Sequence, residues 1–133
     1  MTTGQSRYSV TVKRELIARH YLVGGDWGRE NELNSHRYGV EARYEGATLD
    51  GHGFLVDIEV VETLLDEIVE RYRERTLNEL PEFAGLNPSV EHFARILAER
   101  LAVAASNVDA LEVTVSEDGS AAASYRRSLS NGD

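Results

Sequence analysis

From Tyr8 onward, one face of the chain is written at every second position: Tyr8, Val10 and Val12, then Leu16, Ala18 and His20. A period of two places these side chains on one side of an extended strand. The charged stretch Lys13–Glu15 interrupts the apolar pattern, and a bulge is expected there. Gly24-Gly25-Asp26-Trp27-Gly28 ends the run. Alternation then resumes as His36, Tyr38, Val40, Ala42 and Tyr44, a second long strand. Two amphipathic strands in succession share an apolar face that the rest of the chain must cover.

The next segments are helical. After a polar, glycine-rich loop from Gly46 to Gly53, Val60 or Val61, Leu64, Leu65, Ile68 and Tyr72 recur at helical spacing between charged residues. Leu80 to Leu86 reads as a loop. Asn87 is placed to cap a second helix with Pro88 at its first position, and the apolar face of that helix is Val90, Phe93, Ala94, Leu97 and Leu101. Leu111, Val113 and Val115, then Ala121, Ala123 and Tyr125, form a closing pair of strands. Asp118-Gly119 between them is a strong hairpin signal. The order strand, strand, helix, helix, strand, strand predicts an α+β fold. It is one four-stranded antiparallel sheet with two helices on one face, a single domain over residues 1–133. The opposite sheet face, with apolar and aromatic residues expected among its alternate positions, would then be covered by a symmetric assembly.

A formal net charge of −9 argues against a nucleic-acid backbone or an anionic membrane surface as partner. The absence of cysteine excludes disulfides, thiolate metal sites and thiol nucleophiles. The first twenty residues hold no run long enough for a signal or membrane segment, so a cytoplasmic location is expected.

Six short motifs occur in order: Ile17-Ala18-Arg19-His20, Leu33-Asn34-Ser35-His36-Arg37-Tyr38, Gly53-Phe54-Leu55-Val56-Asp57, Leu77-Asn78, Asn87-Pro88-Ser89-Val90-Glu91 and Val113-Thr114-Val115-Ser116-Glu117. Together, from about Tyr8 to Tyr125, they resemble the 6-pyruvoyl- and 6-carboxy-tetrahydropterin synthases, whose strand–strand–helix–helix–strand–strand unit is called the tunnelling fold. The resemblance implies a lyase or synthase acting on a pterin-like ligand, a zinc ion, and a homohexamer built as a dimer of trimers. The family binds zinc through a first-strand histidine and a His-x-His on the second strand. His20 and His36 match two of these, and Asn34 stands at the third. Glu30 occupies the place of the family's catalytic cysteine. Arg73 and Glu74 occupy the places of its Asp-His pair. Glu117 matches the glutamate that anchors the pterin ring.

Read as chemistry, these replacements keep the ring-binding end and alter the proton-transfer groups. Asn34 and His36 leave the same sheet face. An amide oxygen is a poorer zinc ligand than imidazole, and Glu30 or Glu32 could complete the shell. Glu30 and Glu74 are the candidate acid/base residues, since a carboxylate serves that role when burial raises its pKa. Glu117 ends the apolar row of Val113 and Val115, where two oxygens could accept from a ring N–H and its neighbouring amine. His52 and His92 have no partner at ligand spacing and read as surface residues. Trp27 and Tyr21 flank the glycine-rich turn, where they could stack on a flat ring or pack in a subunit contact. Asp57 and Glu91 suit helix starts. A non-catalytic pterin- or purine-binding or scaffold protein is the alternative.

Overall fold

The computed structural model describes residues 6–103, 105 and 107–129. β1 (Tyr8–His20) and β2 (Asn34–Gly46) pair antiparallel along their whole length, from Tyr8 opposite Gly46 to His20 opposite Asn34. β3 (Ala110–Glu117) adds to β2, and β4 (Ala121–Ser128) adds to β3, so the sheet order is β1-β2-β3-β4. The β3–β4 turn has positive φ at both Asp118 (56°) and Gly119 (72°), as its sequence predicts.

The expected bulge at Lys13–Glu15 is absent, because these residues keep register opposite Glu41, Val40 and Gly39. Arg14 therefore holds an inward position without interrupting the ladder. Its stem runs under the first helix and its guanidinium reaches Asp66 at 3.0 Å and Glu62 at 3.8 Å. A long side chain with a charged tip makes the bulge unnecessary.

Two helices cover one face. α1 (Ile58–Tyr72) starts at Asp57, whose carboxylate accepts from the Glu59 N–H at 3.0 Å. It buries Val61, Leu65, Ile68 and Tyr72, while Val60 stays 46 % exposed, so Val61 is the core residue of that pair. α2 (Val90–Leu101) buries Phe93, Ala94, Ile96, Leu97, Ala98 and Leu101. Its cap is Ser89, not Asn87: the Ser89 hydroxyl accepts from the His92 N–H three residues on, at 3.1 Å. Pro88 accordingly precedes the cap instead of opening the helix. The stretch from Leu80 to Leu86 contains a single 3-10 turn at Pro81–Phe83, after another at Leu77–Glu79.

Phe93 is the hub of the core. Its ring meets Tyr38, Tyr72 and Phe83 edge-on, with centroids 5.2–5.6 Å apart. Such pairs add about 0.5–1.5 kcal/mol each beyond area burial. Beside Tyr72, the Glu82 carboxylate accepts from Arg71 Nε at 2.7 Å, Arg71 Nη2 at 2.5 Å, the Tyr72 hydroxyl at 2.6 Å and Arg100 at 3.3 Å. The Arg71 bonds above all hold Glu82 down at about 2, and burial pushes Tyr72 up to about 12.

The other sheet face corrects an expectation. Tyr38 and Tyr44 both point under the helices and are fully buried. The opposite positions are polar, among them Lys13, Glu15, Arg37, Glu41 and Arg43, with exposed Ile17 as an apolar exception. Strict alternation explains this, since every inward aromatic is flanked by outward charge. What remains open on that side is a polar surface.

Candidate functional site

The register brings the candidate residues to one end of the sheet. His20 ends β1 opposite Asn34, His36 sits two residues into β2, and Glu117 closes β3 opposite Tyr38. Alternation puts all of them on the helix-facing side.

Both histidines are oriented by their Nδ1 atoms. His20, only 2 % exposed, donates from Nδ1 to the Pro88 carbonyl at 3.1 Å, just ahead of α2. His36 donates from Nδ1 to Asp118 Oδ2 at 2.5 Å, and the other Asp118 oxygen accepts from the Arg37 N–H at 2.8 Å. The two rings lie 4.8 Å apart, nearly perpendicular. Burial opposes charging of His36, but the Asp118 hydrogen bond and the charges of Glu117, Asp118 and Glu30 outweigh it and raise its pKa. The Asp118 carboxyl is lowered, first by the bond from His36. Burial, reinforced by Glu117, Asp118 and Glu30, pushes the Tyr38 hydroxyl well above its usual value. That hydroxyl lies 3.4 Å from His20 Nδ1.

The Nε2 atoms therefore converge on carboxylates. His20 Nε2 is 3.1 Å from Glu30 Oε1, and His36 Nε2 is 3.7 Å from the same oxygen and 3.8 Å from Glu117 Oε2. With Nδ1 protonated in a neutral ring, Nε2 is an acceptor, and so is a carboxylate oxygen. Two acceptors facing each other at 3.1 Å need a proton or a metal cation between them. His36 Nε2 and Asn34 Oδ1 are also the buried side-chain polar atoms without a hydrogen-bond partner among the described residues. Asn34 uses its amide nitrogen on the carbonyls of His20 (3.2 Å) and Glu32 (2.7 Å), leaving the oxygen free. Donor atoms of His20, His36 and Glu117 all lie within 4.8 Å of one another. Ligands around a tetrahedral zinc, each about 2.0–2.1 Å from it, sit roughly 3.3 Å apart. The group is one that could hold a metal ion.

Glu30 is carried by a 3-10 turn, Gly28–Asn31, folded back on the strand end: the Leu22 N–H donates to the Glu30 carbonyl at 2.7 Å. Asn31 braces the turn through Leu22, Gly25 and Trp27. Gly25 is required here, because a Cβ would lie 2.6 Å from the Trp27 ring. Two further asparagines hold the segment after His20. Asn78 bonds both backbone groups of Tyr21 (3.0 and 2.9 Å), and Asn87 does the same for Val23 (2.8 and 3.1 Å). Each side-chain amide replaces a strand partner. Both lie in motifs noted in the sequence, but their task depends on a contact across more than fifty residues. Asp118 escaped sequence reasoning too, since Asp-Gly is fully explained as a turn.

Glu74 is placed apart from this cluster. It follows α1 at φ 60°, its N–H donates to the Ile17 carbonyl at 2.7 Å, and its side chain, 66 % exposed, pairs with Arg19 at 3.1 Å. Arg19 alternates with His20 and so leaves the opposite face of β1. His52 is exposed and His92 lies on α2, both outside the cluster.

Comparison with known proteins matches this architecture. The chain superposes on 6-pyruvoyl tetrahydropterin synthase from Plasmodium vivax with a TM-score of 0.79 at 16% identity, covering 92% of this chain and 99% of that one. For the Caenorhabditis elegans enzyme the values are 0.79 and 17%, covering 92% and 97%. A P. vivax variant with a catalytic glutamate replaced by alanine matches at 0.70 and 15%, covering 92% and 99%. No curated protein matches the chain by sequence. The family model for 6-pyruvoyl tetrahydropterin synthase matches residues 9–128, nearly the whole described fold, and the chain belongs to that family.

Proposed function

We propose that the chain is a cytoplasmic, zinc-dependent lyase or synthase acting on a pterin-like heterocycle at the end of the sheet where β1, β2 and β3 converge. The observation that carries this reading is the pair of imidazoles anchored through Nδ1, whose Nε2 atoms converge on the Glu30 and Glu117 carboxylates at the sheet end. His20 and His36 would hold zinc, with Asn34 Oδ1 as a weaker donor. When bound, the ion would polarise an oxygen of the ligand.

The chain's own groups account for the rest. Glu117 is an acceptor for a ring N–H and its adjacent amine, a charge-assisted pair. Asp118 holds the His36 ring in its tautomer and orientation. Tyr38, kept protonated by burial, remains a hydrogen-bond donor. Glu30 is the carboxylate nearest His20 Nε2 and the candidate for accepting a proton. A glutamate is named as catalytic in the P. vivax relative.

The assembly proposed with this function is a homohexamer, a dimer of trimers, whose barrels would enclose the polar sheet faces. Exposed Glu74 would then serve as acid/base only in a neighbouring subunit's site. The placement of Glu74, paired with Arg19 on the outward face and away from the imidazoles, favours a second reading, a binding protein without turnover.

Calorimetric titration with neopterin tests the function. Wild type should bind, and Glu117→Gln should bind roughly 10- to 100-fold more weakly, one charged hydrogen bond's worth. Equal affinities, or no pterin binding by wild type, would reject the ring site. Product formation by the zinc-loaded protein separates the enzyme from the binding protein.

A further inference from the structure

We infer that Glu30 is the ligand that closes the metal shell while no substrate is bound, and that an incoming ligand displaces it. The inference rests on the zinc reading above and deepens it. Asn34 stands where a third imidazole is expected, and its amide nitrogen is committed to two carbonyls. A neutral amide oxygen leaves a zinc shell short of a strong donor.

Glu30 supplies that donor. Its Oε1 lies within 4 Å of both converging nitrogens, at 3.1 Å from His20 and 3.7 Å from His36, on either side of the separation of about 3.3 Å that a shared tetrahedral ion imposes. Glu117 approaches His36 Nε2 at 3.8 Å, and it is the group proposed to meet the ring.

The same contacts say which ligand leaves. The two histidine side chains are 3 % and 12 % exposed and belong to paired strands, whereas the Glu30 side chain is 39 % exposed on a four-residue turn. Of the three, Glu30 is reached by solvent and held by the fewest constraints, so it exchanges first. Once displaced, its carboxylate lies beside the ligand, within reach of a proton on it. One group thus fills a vacant coordination position in the free protein and acts as base in the complex.

The turn carries its own reporter. The Glu30 N–H donates to the Trp27 carbonyl at 3.2 Å, and Trp27 is the single tryptophan in the chain. Movement of Glu30 on and off the ion should therefore change tryptophan emission.

The experiment is zinc titration against a chromogenic chelator, using wild type, Glu30→Gln, Glu30→Asp, Glu32→Gln, His20→Ala and His36→Ala. Cobalt(II) absorption and Trp27 emission are then recorded with and without neopterin. The expected result is a roughly 10- to 100-fold loss of zinc affinity in Glu30→Gln, a smaller loss in Glu30→Asp, and none in Glu32→Gln. In wild type, neopterin should shift both the cobalt spectrum and the emission. Glu30→Gln should show a different cobalt spectrum before any ligand is added. Wild-type zinc affinity in Glu30→Gln, with zinc lost in the histidine variants, would overturn the role of Glu30 and leave the zinc site standing. A wild type that binds no zinc, or binding indifferent to both histidines, would overturn the zinc reading and this inference together.

Discussion

Two carboxylate clusters flank the same aromatic core, and only one of them is complete. Around Glu82, each oxygen is met by a guanidinium or a phenol, and both arginines sit 5.7 Å from the Tyr72 ring centroid. Around Glu30 and Glu117, the facing groups are imidazole nitrogens that need a proton or a cation to meet a carboxylate, and two buried polar atoms find no partner among the described residues. A cluster whose donors and acceptors balance within the chain holds the fold together. One that balances only when a proton or a cation enters is a candidate for binding a ligand. The difference separates a closed cluster from an open one within a single small domain.

Phe93 is where that contrast is broken most severely, because its ring touches Tyr72 of one cluster and Tyr38 beside the other. Phe93→Ala should cost about 3–5 kcal/mol, read from urea unfolding, and should weaken zinc binding as well. Little loss of stability would mean that the two clusters do not share a core. Next in size is the direct comparison. Glu82→Ala leaves two guanidinium groups and a phenol unpaired and should cost about 1–3 kcal/mol, reduced by partial exposure. Glu30→Ala in zinc-free protein should change stability by less than about 0.5 kcal/mol. Equal losses would abolish the distinction between the clusters.

The smallest effect is in acid. Glu82 is held near 2 when folded, below the value of about 4.3 expected when unfolded. Its contribution is therefore present above the unfolded value and is lost as pH falls through the folded one. The urea midpoint of wild type should drop between roughly pH 5 and pH 2, and Glu82→Gln should show a shallower decline. Identical pH profiles would place the acid sensitivity elsewhere.

Most of the fold was legible because period-two and period-3.6 patterns are local properties of a chain. The strand faces ending in His20 and His36, the burial of Leu65, Ile68 and Tyr72, and the Asp118-Gly119 turn all came from near neighbours. Where local reasoning failed, a distant contact had intervened. Arg14 needed no bulge because α1 supplies carboxylates about fifty residues away, and Asn87 gave up the helix start to hold Val23. The site divides in the same manner. Residue identities and alternation were enough to put Asn34 and His36 on one face and Glu117 at the end of the apolar row of Val113 and Val115. Which ring nitrogen is held outward, that Asp118 does the holding, and that Glu30 rather than Glu74 stands at the imidazoles were decided by packing. Those relations join strand ends, a turn and a helix start that lie far apart along the chain. Only the assembled sheet, with Pro88 and the Glu30 turn folded over its end, brings their atoms within reach.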